Sequence, residues 1–133
     1  MTHEYSYLLL HSNGRIEVCA HDLREFSLEE LQKLVGGNIE IVNTRFCSDL
    51  VMVVDDEGLL RNKPLNPYAT LLYGGVLSGH HIAGDAVLCV RSEFPEPDIY
   101  CMSDLAALSV KEIMKGYDWK NLNQIWGIRE EDE

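Results

Sequence analysis

Apolar residues in this chain fall in short blocks separated by turns rich in glycine, asparagine and acids. Residues 5–10 and 15–19 read as strands on either side of Ser12, Asn13 and Gly14. Asn-Gly tolerates the positive backbone angles of a tight turn, so the pattern predicts an N-terminal hairpin. Ser27, Leu28, Glu29 and Glu30 match a capping box and predict the start of a helix. Leu28, Leu31, Leu34 and Val35 share a face at helical spacing, and Gly36-Gly37 suits its closure. Residues 39–42 then alternate as a strand, while residues 50–54 form a β-branched run suited to a central, buried position. Asp55, Asp56, Glu57 and Gly58 read as a turn. Leu59 and Leu60 after it are expected to begin a short return strand, making a second hairpin.

Asn66 before Pro67 is a helix entry, because asparagine caps free amides and proline loses nothing at the first helical position. A short helix is predicted over residues 67–73, closed by Gly74-Gly75. Residues 86–90 are read as the last apolar strand. The run from Glu93 to Asp98 holds two prolines and three acids, which marks a connector into a helical C-terminal region. There Ser109, Val110, Lys111 and Glu112 match a second capping box, with Gly116 closing the helix. Asp118 and Gly127 bracket a further segment on which Trp119, Leu122, Ile125 and Trp126 share a face, and residues 129–133 read as an acidic, frayed tail. The expected fold is α+β: an antiparallel or mixed sheet with one or two packed helices over residues 1–92, and a helical C-terminal extension of the same domain over residues 93–133.

A length of 133 residues with 46% hydrophobic content fits one domain that buries roughly two-thirds of its unfolded surface. No apolar run reaches the ~20 residues needed to span a bilayer, and the N-terminus shows no signal-peptide pattern. The expectation is a cytoplasmic protein with no membrane role. Cys19, Cys47, Cys89 and Cys101 form no Cys-x-x-Cys pair and are read as reduced, mostly buried thiols. Acids number 22 against 11 basic residues, for a formal charge of −11. That excess repels a phosphate backbone, and the basic residues are dispersed, Arg61 and Lys63 being the nearest grouping, so direct nucleic-acid binding is disfavoured.

Four blocks together carry a resemblance: residues 31–37 running into 39–42, residues 53–58, residues 64–70, and residues 82–85. Their order and spacing resemble the family catalogued as domain of unknown function 3846, over about residues 28–90, and residues 108–112 look like that family's C-terminal helix entry. The resemblance implies a setting in phages, conjugative elements and bacteria rich in them. It implies no agreed enzymatic role and brings no catalytic residues. The N-terminal hairpin departs from the family pattern, and residues 119–126 have no counterpart in it.

Candidate chemistry is sparse. His80-His81 with Asp85 and Cys89 is the one cluster of several metal-type ligands, but adjacent histidines on an extended chain point to opposite sides and the spacing matches no usual zinc pattern. A polar loop is the favoured reading, and no metal or cofactor is expected. Asp55, Asp56 and Glu57 stop at Gly58, short of a calcium loop, and read as a solvated turn. Cys47 has no local motif of a nucleophile. Asn66 reads chiefly as a helix cap. The free amides at that helix start, with Arg61 and Lys63 before it, suggest an anion site. Gly36-Gly37 and Gly74-Gly75 are too short for nucleotide-binding fingerprints. Tyr100, Met102, Met114, Tyr117, Trp119 and Trp126 gather aromatic and methionine side chains near the C-terminus, and Tyr117, Trp119 and Trp126 are the candidates for contact with a partner.

The leading expectation is therefore a small, acidic, non-catalytic protein of phage or mobile-element type that binds and modulates a host protein, such as a defence or nucleic-acid-handling factor. The alternative is a small-molecule binder, taking a nucleotide or other anion through Arg61, Lys63 and Asn66 in a homo-oligomer. An enzyme stands third.

Overall fold

Residues 7–10, 51–54 and 86–89 carry no polar alternation because the strands they form are covered on both sides. The computed structural model describes residues 5–75 and 79–116. In chain order it contains β1 (Tyr5–Leu10), β2 (Ile16–His21), α1 (Leu28–Val35), β3 (Ile39–Asn43), β4 (Leu50–Asp55), α2 (Pro67–Tyr73), β5 (Ala86–Ser92), β6 (Asp98–Tyr100), β7 (Met102–Ser103) and α3 (Asp104–Met114). The strands form one seven-stranded sheet in the order β2-β1-β5-β4-β3, with β6 paired to β5 and β7 to β1. All of these pairings are antiparallel. The fold is α+β, with helices on both faces of an open sheet.

Alternate residues of the central strands feed two apolar layers. Leu8, Leu10, Met52, Val54, Ala86 and Leu88 pack with Tyr68, Ala69 and Leu72 of α2 and with Ala107 and Met114 of α3. Tyr7, Leu9, Val51, Val53, Val87 and Cys89 pack on the other face with Leu31 and Val35 of α1. The capping box of α1 is formed: Ser27 Oγ accepts from the Glu30 amide at 3.1 Å, and Glu30 Oε1 accepts from the Ser27 amide at 3.5 Å. Gly36 closes the helix at φ 78°.

The N-terminal hairpin turns through residues 11–15. Only Gly14 takes a positive φ there. Asn13 contributes through its side chain, whose Oδ1 accepts from the Arg15 amide at 2.9 Å.

Three local expectations are corrected. Leu59 and Leu60 form no return strand. Residues 56–62 run as successive turns, with the amides of Arg61, Asn62 and Lys63 donating to the carbonyls of Glu57, Leu59 and Gly58. The reason lies in the sheet: β3 and β5 occupy both edges of β4, so a returning strand has no edge to join.

Residues 86–90 are not the last strand either. β1 and β5 pair only through residues 8–10 and 86–88. Beyond that point β6 pairs with β5 and β7 with β1, so residues 98–103 fill the gap between two diverging strands. The proline-rich connector is thus the turn of a hairpin within the sheet. Finally, α3 begins at Asp104, capped by Ser103 Oγ, which accepts from the Ala106 amide at 3.1 Å. Ser109 lies inside that helix.

The central position of β5 sets one expectation. Leu88 is fully buried among both neighbouring strands and α2. Leu88→Ala should lower unfolding free energy by about 2–5 kcal/mol, measured by urea denaturation, through lost burial and a residual cavity.

Candidate functional site

A buried carboxylate organises the end of β4. Asp55 has no exposed side-chain surface, and its Oδ2 lies 2.6 Å from Lys63 Nζ and 3.8 Å from Arg61 Nη1. Its Oδ1 accepts from the Glu57 amide at 2.9 Å. Burial pushes the carboxyl upward, but the Lys63 ammonium, the Glu57 amide and the Arg61 guanidinium outweigh it and hold the group below its ordinary value. Lys63 also donates to the Val35 and Gly36 carbonyls at 2.8 and 3.2 Å, and Arg61 to the Gly36 carbonyl at 3.1 Å. These carbonyls are the unpaired acceptors at the C-terminus of α1. Gly37 sits against the cluster so closely that a Cβ there would lie 2.9 Å from both Asp55 oxygens. The structure therefore brings Arg61 and Lys63 together on Asp55.

Asn66 lies elsewhere and is fully buried. Its Oδ1 accepts from the Ala69 amide at 3.1 Å, as a helix cap should. Its Nδ2 donates to the Leu10 and Gly84 carbonyls at 2.8 and 2.9 Å. Both amide hydrogens and the oxygen thus have partners inside the protein, and the side chain ties α2 to β1 and to the entry of β5.

Beside the Asp55 cluster an open groove of about 310 Å³ lies at the end of β4, lined by Glu40 of β3, residues 54–60 and residues 81–83. Its floor is pinned: the Asn66 amide donates to the Ile82 carbonyl, and the Gly84 amide to the Pro64 carbonyl. Gly58 approaches so near that a Cβ would lie 2.6 Å from the Ala83 carbonyl oxygen. Leu59 and Leu60 stand on the rim, 58% and 81% exposed, among the carboxylates of Glu40, Asp56 and Glu57. His81 Nδ1 is buried and has no hydrogen-bond partner among the described residues. A buried polar atom without a partner is costly, and here it lies in a groove lining. This site combines apolar rim, negative charge and one unmatched polar atom.

The sequence reads Asp56 and Glu57 as a solvated turn, His81 as part of a polar loop, and Leu59 and Leu60 as the start of a strand. The groove is not legible in sequence because it forms only when residues 81–83 return beside the turn that follows β4. The one sequence signal for it was the adjacent apolar pair following an acidic turn.

Other candidates separate in space. Asp85 Oδ1 accepts from the Ser12 amide, while Cys89 is buried in the layer beneath α1. Among the described residues, no group of three metal-type side chains could hold an ion. All four cysteines are free, but only Cys89 and Cys101 are buried. Cys47 is exposed, which corrects the expectation for that thiol. Burial raises the Cys89 thiol and pushes Cys101 up to about 12.

A second cleft, of about 570 Å³, lies between the end of β2 and the start of α1. There His21 Nδ1 meets the Leu23 carbonyl at 2.6 Å and Nε2 meets Glu30 Oε2 at 2.7 Å. Burial pulls the imidazole down, but these acceptors outweigh it and raise its proton affinity. Both ring nitrogens face atoms that only accept, which favours the imidazolium and makes this cluster a strap between β2 and α1. Tyr117, Trp119 and Trp126 lie outside the described residues. No described helix is long and apolar enough to cross a membrane.

A family model described as domain of unknown function (DUF3846) matches residues 8–96, which include the sheet's central strands, the Asp55 cluster and the groove. The chain belongs to that family. No curated protein and no solved structure matches it.

The Asp55 cluster sets a pH dependence. A carboxyl held below its unfolded value contributes stability that is complete above about pH 4 and is lost as pH falls through the folded value. Asp55→Asn should flatten this acid limb in pH-dependent denaturant titrations. At neutral pH the same variant should lose about 3–5 kcal/mol, because Lys63 keeps its charge without its buried partner.

Proposed function

We propose that this family member is a stoichiometric binding protein that takes a basic, partly apolar segment of a partner protein into the groove beside β3. The observation behind this reading is the groove itself: exposed Leu59 and Leu60 stand among Glu40, Asp56 and Glu57 above an unmatched His81 nitrogen. Exposed apolar side chains grouped in a concave surface mark contact sites, and surrounding carboxylates select positive partners. A formal charge of −11 extends the same preference over the whole molecule and steers basic surfaces toward it.

Arg61 and Lys63 face Asp55 and the α1 carbonyls, and Arg61 also meets Glu57 at 3.4 Å, so a small anion gains no specific support from them. The natural setting in this proposal is a phage or mobile element in the cytoplasm of its host. The partner is a host defence or nucleic-acid-handling protein whose nucleic-acid surface supplies the positive charge.

A photo-crosslinking residue placed at Leu60 tests the reading in host lysate. It should trap a discrete partner, and Glu40→Gln, Asp56→Asn and Glu57→Gln combined should weaken capture roughly tenfold while raised salt weakens it further. An adduct indifferent to both the substitutions and the salt would overturn the proposal.

A further inference from the structure

The groove reaches the last strand of the sheet through Glu40. The sheet order ends at β3, whose outer side has no neighbouring strand among the described residues. The phase of its hydrogen bonds follows from one contact: the Asp56 amide donates to the Asn38 carbonyl at 3.0 Å. In the register of β3 against β4, Asn38 stands opposite Asp56, Glu40 opposite Val54 and Val42 opposite Met52. Antiparallel strands exchange hydrogen bonds at alternate pairs. Glu40 and Val42 therefore bond inward to β4, and the backbone amides and carbonyls of Ile39, Ile41 and Asn43 point to the open side.

An edge of this kind is a template for a further strand unless charge, proline or a covering element blunts it. β3 has no proline and a single charged residue, Glu40, and Ile41 at its centre is 43% exposed. The opposite edge strand, β2, differs. Glu17 near its start is engaged by His11 and Arg15, and His21 at its end is bonded to Glu30. Among the described residues, the cleft at the end of β2 has its histidine bonded at both ring nitrogens, whereas the groove that Glu40 of β3 enters holds the unmatched His81 nitrogen.

We infer that β3 receives an extended segment of the partner as an added antiparallel strand, with alternate side chains of that segment entering the groove. This rests on the groove's being the binding site and specifies the shape and chemistry of its occupant. Main-chain bonds to Ile39, Ile41 and Asn43 would hold the segment, and its inward side chains would set selectivity. Lysine or arginine suits the carboxylates of Glu40, Asp56 and Glu57, and an aliphatic residue suits Leu59 and Leu60. A peptide alternating basic and aliphatic residues meets both demands.

The test uses the full chain and a short synthetic peptide of alternating lysine and valine, observed by amide nuclear magnetic resonance. Binding should shift the amides of Ile39, Ile41 and Asn43 most strongly and slow their hydrogen exchange. Two further peptides carry N-methyl groups on one or the other alternate set of backbone amides. One set points toward β3 and the other to solvent, so one methylated peptide should lose binding and the other retain it. Ile41→Pro removes an outward amide on an edge strand, where proline is tolerated, and should weaken the parent peptide roughly tenfold. Should that variant fail to fold, the methylated pair still decides the question.

Equal binding of both methylated peptides, with affinity still lost in Asp56→Asn and Glu57→Gln, would overturn strand addition and leave the groove as the binding site. No shift in β3 or groove amides with any of the three peptides would overturn both.

Discussion

The buried pair of Asp55 and Lys63 is the contact on which the surrounding architecture depends. Asp55 ends a central strand and has no exposed side-chain surface, so its charge requires a partner. Lys63 reaches it only because residues 56–62 coil back in turns instead of running on as a strand. The ammonium pairs with no carboxylate other than this one among the described residues, and it also donates to the carbonyls that end α1. One lysine thus joins the helix over one face, the end of β4 and the turn that walls the groove. Gly37 follows from the same crowding, since a side chain there would collide with the carboxylate.

That arrangement sorts the charges of this region. Lys63 is drawn to Asp55 and to the helix end, and Arg61 is shared between Asp55, the helix end and Glu57, while Asp56 and Glu57 are exposed beside Leu59 and Leu60. A stretch that mixes both signs in sequence therefore presents a largely negative, partly apolar surface in the fold. Asn66 is drawn inward in the same way, linking three separate parts of the chain through one amide. The polar residues that look most like ligand contacts in the sequence are engaged in holding the chain together.

Much of the fold was legible because local chemistry and tertiary context agree there. Ser27 and Glu30 cap α1, Asn66 and Pro67 open α2, and the uninterrupted apolar runs become strands covered on both faces. The departures share one cause: they depend on which sheet edges are vacant. Leu59 and Leu60 have strand-like composition but no edge to join, whereas residues 98–103 follow two prolines and still become strands because β1 and β5 diverge beside them. Ser109 matched a cap motif, but Ser103 stands where the chain leaves the sheet, and the helix begins there. The groove was hidden for the same reason. Glu40, Leu60 and His81 are far apart in sequence and meet only through the return of residues 81–83 against the turn that follows β4.

The central claim is that Lys63 serves the fold through Asp55 and is not held in reserve for a ligand. A double-mutant cycle tests it most directly, with Asp55→Ala, Lys63→Ala and the double variant compared by denaturant unfolding at neutral pH. A coupled pair predicts that the double variant loses less stability than the two single losses together, by about 1 kcal/mol or more. Additive losses would show that the two side chains act independently and would contradict the account.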